Sequence, residues 1–358
     1  MPLKMIQIGT GGFGALWCQR FLPPNVHDGL IEVVAAADVN APALGNAQQH
    51  LGLDESQLYS DPARAIAEND ADFCSIVVPP ASHEEIVDLA VERGLHILSE
   101  KPIADTLEGS VRIADKVQRA GLKMGVTMSH RFDQDKTTLR SEVQSGRYGG
   151  LDYVVLRFGC DCRKYGSWGA FRHEIPDTLM IEGAVHHLDI IADLAGGLCT
   201  RLYAETWNPE WGEFQGDSQG LVIMAFDSGA RGTYEGSKTN AVGLNCWTNE
   251  YVRVEMEGAT LILDRREVER FEYDPGSSGR AVREGTGVSV PPLQQSKWAN
   301  TWLVEKFVRW LEGGEPMETD VESNLQSVAL VFAAIESSRT GMPVNPQELL
   351  ERTRAATA

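Results

Sequence analysis

A short apolar run, Met5-Ile6-Gln7-Ile8, enters the turn Gly9-Thr10-Gly11-Gly12-Phe13-Gly14, and a second apolar run, Ile31 to Ala37, ends on Asp38. Strand, glycine turn, helix, strand and acid in this order describe a βαβ unit shaped around a dinucleotide. Each residue type has a physical duty. Gly9 allows the chain to turn sharply off the first strand. Gly11 removes the Cβ that would hold a pyrophosphate away from the backbone, and Gly14 lets the helix pack close to the strand. Gly12 and Phe13 stand at the start of that helix, where N–H groups and the positive dipole end favour phosphate. Asp38 is placed to accept hydrogen bonds from a ribose. NADP would need a cation near this acid for its 2′-phosphate, but Val39 and Asn40 follow Asp38, and no Lys or Arg lies between Arg20 and Arg64. The pattern therefore favours NAD over NADP.

A chain of 358 residues is too long for one ordinary core, which predicts two domains. Residues 1–125 alternate short apolar runs with helical patterns. The strand candidates are Met5-Ile8, Glu32-Ala37, Phe73-Val78, His96-Leu98 and Lys123-Val126, with a helix over Gly14-Phe21 after the first. This texture predicts an α/β, doubly wound parallel sheet. Residues 126–358 carry six alternating strand-like segments between Tyr153 and Leu263, joined by turns, and a helix pattern over Thr178-Leu194. They predict an α+β domain with a mostly antiparallel sheet. Two further helix patterns follow, Trp302-Leu311 and residues 320–338, the second opening on a Thr319-x-x-Glu322 capping box. Pro275 to Pro292, rich in Gly, Ser and Pro, reads as a loop.

The net charge of −19 argues against nucleic acid or an anionic membrane as partner. No apolar stretch approaches the roughly 20 residues needed to span a bilayer. The N-terminal residues lack the pattern of a secretory signal, so the chain reads as cytoplasmic. Six scattered cysteines, with Cys160 and Cys162 lacking C-x-x-C spacing, read as free thiols, and no metal site is expected from them.

Three segments carry candidate chemistry. Pro79-Pro80-Ala81-Ser82-His83 follows the strand ending at Val78, where ligands bind in open α/β sheets. Ser82 is placed to cap the next helix, and Pro79 and His83 are candidate cofactor contacts. Ser99-Glu100-Lys101-Pro102 follows the next strand and puts an ammonium at the same edge of the sheet. Such a group can donate to a developing alkoxide, or it can be a surface lysine paired with Glu100. In Glu182-Gly183-Ala184-Val185-His186-His187-Leu188-Asp189, a regular helix stacks Glu182 on His186 at i,i+4. A carboxylate orienting an imidazole is an acid/base pair. The same stack has ligand types for a metal, but no third and fourth ligands are apparent.

These segments, together with Arg131-Phe132 and Glu336-Ser337-Ser338-Arg339-Thr340-Gly341, make the chain resemble the Gfo/Idh/MocA oxidoreductases over nearly its whole length. The resemblance implies a Rossmann domain plus an α+β domain with a large open sheet, whose outer face makes a homodimer or homotetramer. It implies Lys101 as the active-site lysine and His186 as the catalytic histidine. Glu182 stands where the family commonly has Asp. With these go Arg131, Trp168 and His187 as candidate substrate residues, and Glu100 beside the cofactor. The expected reaction moves a hydride between NAD and a secondary alcohol or ketone of a sugar, glycoside or polyol, with Lys101, His186 and Glu182 handling the proton. Trp168, Phe171, Trp207, Trp211 and Phe214 would suit a sugar face, or are ordinary packing. A redox-cycling enzyme that retains NAD and a dehydrogenase of a non-sugar substrate are the alternatives.

Overall fold

The computed structural model describes residues 1–277 and 286–357. Two compact units emerge: Met1–Ser129 with Lys297–Val328 and Thr353–Ala358, and His130–Ser296 with Ala329–Arg352. Among the described residues, no helix is long and apolar enough to cross a membrane.

The first unit is built on six parallel strands: β1 (Leu3–Ile8), β2 (Ile31–Ala37), β3 (Leu58–Tyr59), β4 (Phe73–Ile76), β5 (His96–Ser99) and β6 (Met124–Val126). Their order is β3-β2-β1-β4-β5-β6. Met5, Ile6, Ile8, Phe73, Cys74, Ile76 and Ile97 are fully buried, as strands covered on both faces must be. The chain steps from β1 toward β3 on one side and from β4 toward β6 on the other. The carboxyl ends of β1 and β4 therefore flank the switch point where ligands bind in such sheets. Gln7, a polar residue inside β1, is satisfied there. Its amide donates to Gly9 O at 2.7 Å, and its side-chain carbonyl accepts from Ser75 Oγ, which ties the glycine turn to β4.

Local structure departs from the sequence expectation in three places in this unit. The first helix is only Phe13–Leu16, and a π-helical turn, Trp17–Phe21, replaces its remainder. Pro23 and Pro24 lie just beyond and supply no N–H to continue a regular ladder. Ser82 makes no side-chain cap to the helix His83–Arg93. The helix Val321–Thr340 is capped by Asp320, not Thr319. Asp320 Oδ1 accepts from Glu322 N and Ser323 N at 3.1 and 3.3 Å, while the buried Thr319 hydroxyl donates to Val126 O at 2.7 Å. Thr319 is thus used by the edge of β6, and the carboxylate one residue later takes the cap.

The second unit carries eight strands: β7 (Leu151–Gly159), β8 (Cys199–Trp207), β9 (Gln219–Phe226), β10 (Arg231–Ser237), β11 (Tyr251–Met256), β12 (Ala259–Asp264), β13 (Glu267–Glu272) and β14 (Val288–Val290). The order is β14-β13-β12-β11-β7-β10-β9-β8, antiparallel except for the β7/β10 pair. Along β9, Val222 and Met224 are buried while Leu221 and Ile223 are exposed, so the sheet has one covered and one open face. The helix Val185–Ala195 packs on β7 and β10 on the covered side. Two strands lie beyond the six expected. β13 carries four charged residues between β12 and β14, and β14 lies inside the segment read as a loop, pairing with β13 over Val288–Val290. Residues 278–285 of that segment lie outside the described residues.

Candidate active site

The glycine turn of the first unit is tight for a steric reason. Gly9 has φ +89°, and a Cβ there would lie 2.1 Å from Val77 O; one on Gly14 would lie 2.3 Å from Gly9 O. Gly12, at φ +52°, faces open space. Phe13, next to it, is exposed. Asp38 closes the turn. Its Oδ2 accepts from Thr10 N and Gly11 N at 2.7 and 2.8 Å, and its Oδ1 from Asn40 N at 2.8 Å. A carboxylate offers about four acceptor positions, so Oδ1 retains capacity for a ribose hydroxyl. The turn, the open ground beside Gly12 and the acid fit a dinucleotide.

At the ends of β4 and β5 the candidates separate. Pro79 stays extended at ψ 143° before the turn Pro80–Ser82. His83 is fully buried, and its ring nitrogens face Ile103 O at 3.1 Å and Val78 O at 2.9 Å. Its ring fastens the turn internally. Glu100 is buried; its Oε1 accepts from Trp17 Nε1 at 3.0 Å and its Oε2 from Lys101 N at 3.2 Å. Burial pushes the Glu100 carboxyl above its usual range, against the opposing charge of Lys101. Glu100 N donates to Ile76 O at 2.8 Å, locking the exit of β5 to β4. Lys101, half-buried and joined to Pro102 by a cis peptide, follows from this anchored backbone.

In the second unit, Glu182 lies in a π-helical turn, Leu179–Ala184, and regular α-helix begins at Val185. The Glu182 carboxylate accepts from Arg172 Nε at 2.9 Å. His186 is buried, and the ring of His130 stacks on it in parallel, with centroids 4.0 Å apart and 4° between planes. Arg131 pairs with Asp189 at 3.1 Å and Asp193 at 2.9 Å. It thereby ties the turn Ser129–Phe132 to the helix bearing His186.

His187 points elsewhere. It is fully buried, its Nδ1 lies 2.9 Å from Tyr234 Oη, and its Nε2 lies 3.6 Å from Glu250 Oε1. Burial lowers its pKa to about 4, so the imidazole is neutral near pH 7. Glu250 also faces His130 Nδ1 at 3.0 Å and Lys136 Nζ at 2.6 Å. Burial alone would raise its carboxyl, but His130, His187 and Lys136 outweigh that and hold it well below the usual range. The polar atoms of His130, His187 and Glu250 lie within 4.8 Å of one another, a ligand-like grouping. The Lys136 ammonium already stands against the carboxylate as the positive charge a metal would bring.

Trp168 is half-buried beneath two cations, with Lys238 Nζ 3.1 Å and the Arg172 guanidinium 4.8 Å from its ring centroid. It stacks with Trp247 at 5.6 Å and 24°. Of the other expected rings, Phe214 stacks on His173 at 4.1 Å, while Trp207, Trp211 and Phe171 are exposed.

Two family models cover most of this chain. One, described as the oxidoreductase family with an NAD-binding Rossmann fold, matches residues 3–128; the other, the C-terminal alpha/beta domain of the same oxidoreductase family, matches residues 140–345. The chain belongs to the Gfo/Idh/MocA oxidoreductase family. It is 56% identical to the uncharacterized protein y4oX of Sinorhizobium fredii, over 99% of this chain and 98% of that one. It is 26% identical to the scyllo-inositol 2-dehydrogenase (NAD(+)) of Bacillus subtilis, over 86% of this chain and 87% of that one. Its fold is similar to an oxidoreductase of Agrobacterium radiobacter solved with NAD+, L-tartaric acid and magnesium. That match has a TM-score of 0.82 and 20% identity, and covers 98% of this chain and all of that one. As a Gfo/Idh/MocA protein, the chain is an NAD(P)-binding oxidoreductase with an NAD-binding Rossmann domain.

The sequence reading missed His130, Lys136, Glu250 and Trp247. Only His130, one residue before the quoted Arg131-Phe132, stood close to a recognised motif.

Proposed function

We propose that this Gfo/Idh/MocA protein is an NAD-dependent dehydrogenase of a secondary alcohol on a sugar, glycoside or polyol. The observation that carries this reading is the placement of Lys101. It leaves β5 on the same carboxyl edge of the parallel sheet as the glycine turn after β1, held there by Glu100 and Trp17. The likeness to a scyllo-inositol dehydrogenase supports the polyol class. Bound NAD supplies the acceptor for the hydride that leaves the alcohol carbon. His186 takes the hydroxyl proton, and its ring plane is fixed by the stacked His130. Lys101 is the second candidate acid/base group, an ammonium able to donate a hydrogen bond to a developing alkoxide. Glu182 acts through Arg172 by holding the π turn that leads into His186. In a screen of inositols, monosaccharides and glycosides, NADH absorbance should rise with at least one of them; no rise with any of them would overturn the reading.

NAD is the preferred cofactor. Asp38 sets a carboxylate where the 2′-phosphate of NADP would fall, with no Lys or Arg between Arg20 and Arg64 to offset it. Calorimetry should find NAD bound more tightly than NADP, and replacing Asp38 with Ser should narrow the gap. Tighter binding of NADP by the unaltered protein would refute the preference.

A further inference from the structure

The six cysteines are free, and they are not alike. Burial pushes the thiols of Cys18 and Cys74 up to about 12 and that of Cys199 up to about 11, which leaves them as inert packing. Cys160 and Cys162 differ in geometry. They flank Asp161 just after β7, where Asp161 bridges to Thr239 beyond β10. Cys160 N donates to Ser237 O at 3.0 Å, Cys162 N to Lys238 O at 2.7 Å, and Asn240 N to Cys160 O at 3.1 Å. The backbone on both sides of the pair is thereby pinned to one strand end, and the two sulfurs face each other at 3.5 Å. Cys160 is buried and Cys162 is half-buried.

The pair is also polarised. A hydrogen bond from the Cys160 thiol holds Cys162 below the usual thiol range; burial opposes this, and the Lys238 ammonium adds to it. The same hydrogen bond, with burial, pushes Cys160 up. A more accessible thiolate beside a buried, protonated partner is the arrangement in which one sulfur attacks and the other resolves.

We propose that Cys160 and Cys162 form a hydroperoxide-responsive dithiol that closes to an intrachain disulfide. The Cys162 thiolate attacks hydrogen peroxide. An S–O bond forms, the O–O bond breaks, and the departing hydroxide takes up a proton to leave as water. The Cys160 sulfur then attacks the sulfenic sulfur of Cys162. The S–S bond forms, the S–O bond breaks, and the Cys160 proton leaves with the hydroxide as a second water. Two electrons pass from the sulfur pair to the peroxide. The carbonyl of Cys162 accepts from His173 Nε2 at 3.1 Å and Ser167 Oγ at 3.0 Å, so closure acts on the segment that leads to Trp168.

The test uses the full-length protein, reduced and then treated with stoichiometric hydrogen peroxide, and reads mass rather than turnover. Its outcome is therefore independent of the dehydrogenase reading. The intact mass should fall by two hydrogen atoms. Peptide mapping should place the loss on Cys160 and Cys162, which resist iodoacetamide until dithiothreitol is added. Cys160→Ser should leave a sulfenic acid on Cys162 that dimedone traps. A bridge to Cys246, sulfinic acid on Cys162 of the unaltered protein, or six alkylated cysteines after peroxide would overturn the proposal. If the variant does not fold, the pH dependence of Cys162 alkylation in the unaltered protein decides. A midpoint below the roughly 8.5 of a free thiol supports the proposal, and one at or above it refutes it.

Discussion

Lys101→Met should lower kcat by roughly 10²–10⁴-fold while leaving the unfolding temperature and NAD affinity close to those of the unaltered protein. Methionine keeps most of the stem volume and removes the ammonium. The backbone that presents residue 101 is held independently of that charge. Glu100 N is bonded to Ile76 O, and the Glu100 carboxylate is bonded to Trp17 Nε1. A loss of rate with intact folding therefore isolates the charge. Its absence also removes the charge that opposes burial at Glu100, so the Glu100 carboxyl shifts further upward without losing Trp17. His186→Asn should lower kcat by the same order, because it removes the proposed proton acceptor while preserving a planar side chain against His130. If Lys101 stabilises the developing alkoxide and His186 takes the proton, the His186 variant loses the limb of the pH–rate profile that reports the base. The Lys101 variant keeps that limb at a lower plateau. Unchanged turnover in Lys101→Met would refute the role of the ammonium.

Residues whose duty is set by their own backbone were legible in the sequence. Gly9 is a glycine because a Cβ would strike Val77 O, and Gly14 because one would strike Gly9 O. Both constraints act within one βαβ unit, so a spacing pattern records them. The place of Lys101 just past β5 was legible for the same reason, as a strand end followed by proline. Glu250 was not. Its partners come from the turn Ser129–Phe132, the helix Gln134–Gln144 and the helix Val185–Ala195, and no local spacing joins the residue before β11 to any of them. Trp247 is hidden likewise, meeting Trp168 and His130 only in the fold. The π turn over Leu179–Ala184 was not legible because an apolar pattern looks alike in α and π turns. The edge strand β14 misled because its partner, β13, imposes extension on a segment rich in turn residues. The depth of His83 and His187 was not legible either: one faces main-chain carbonyls and the other faces Tyr234 and Glu250.

Lys136→Met should destabilise the protein by about 3–5 kcal/mol, read by urea unfolding near neutral pH, because it strips the partner from a buried charge. Both ends of this pair are buried, with side-chain exposures of 2% for Lys136 and 0% for Glu250. The ammonium also lies 3.5 Å from both Asp133 and Asp135, so its loss removes the cation that these two share with Glu250, although Arg266 still lies 3.6 Å from Asp135. Burial already pushes Asp133 upward even with Lys136 present. The pH dependence carries the sign of the effect. Glu250 has a depressed pKa in the folded state, so its contribution is full above the unfolded value of about 4.3 and is lost as pH falls toward the folded value. His187, depressed by burial to about 4, acts in the same direction from about 6.5 downward, since the unfolded imidazole takes a proton that the folded one refuses. The unaltered protein should therefore weaken from pH 6.5 into the acid range. In the Lys136 variant, Glu250 protonates more readily, which relieves the buried charge. The gap between the two proteins should thus narrow as pH falls. Adding Glu250→Gln to Lys136→Met should recover part of the loss, because a neutral amide can still accept from His130 and His187. A single-variant loss below about 1 kcal/mol, the scale of an exposed ion pair, or a gap that widens in acid, would show that Lys136 does not hold the buried Glu250 in place beneath the histidine stack.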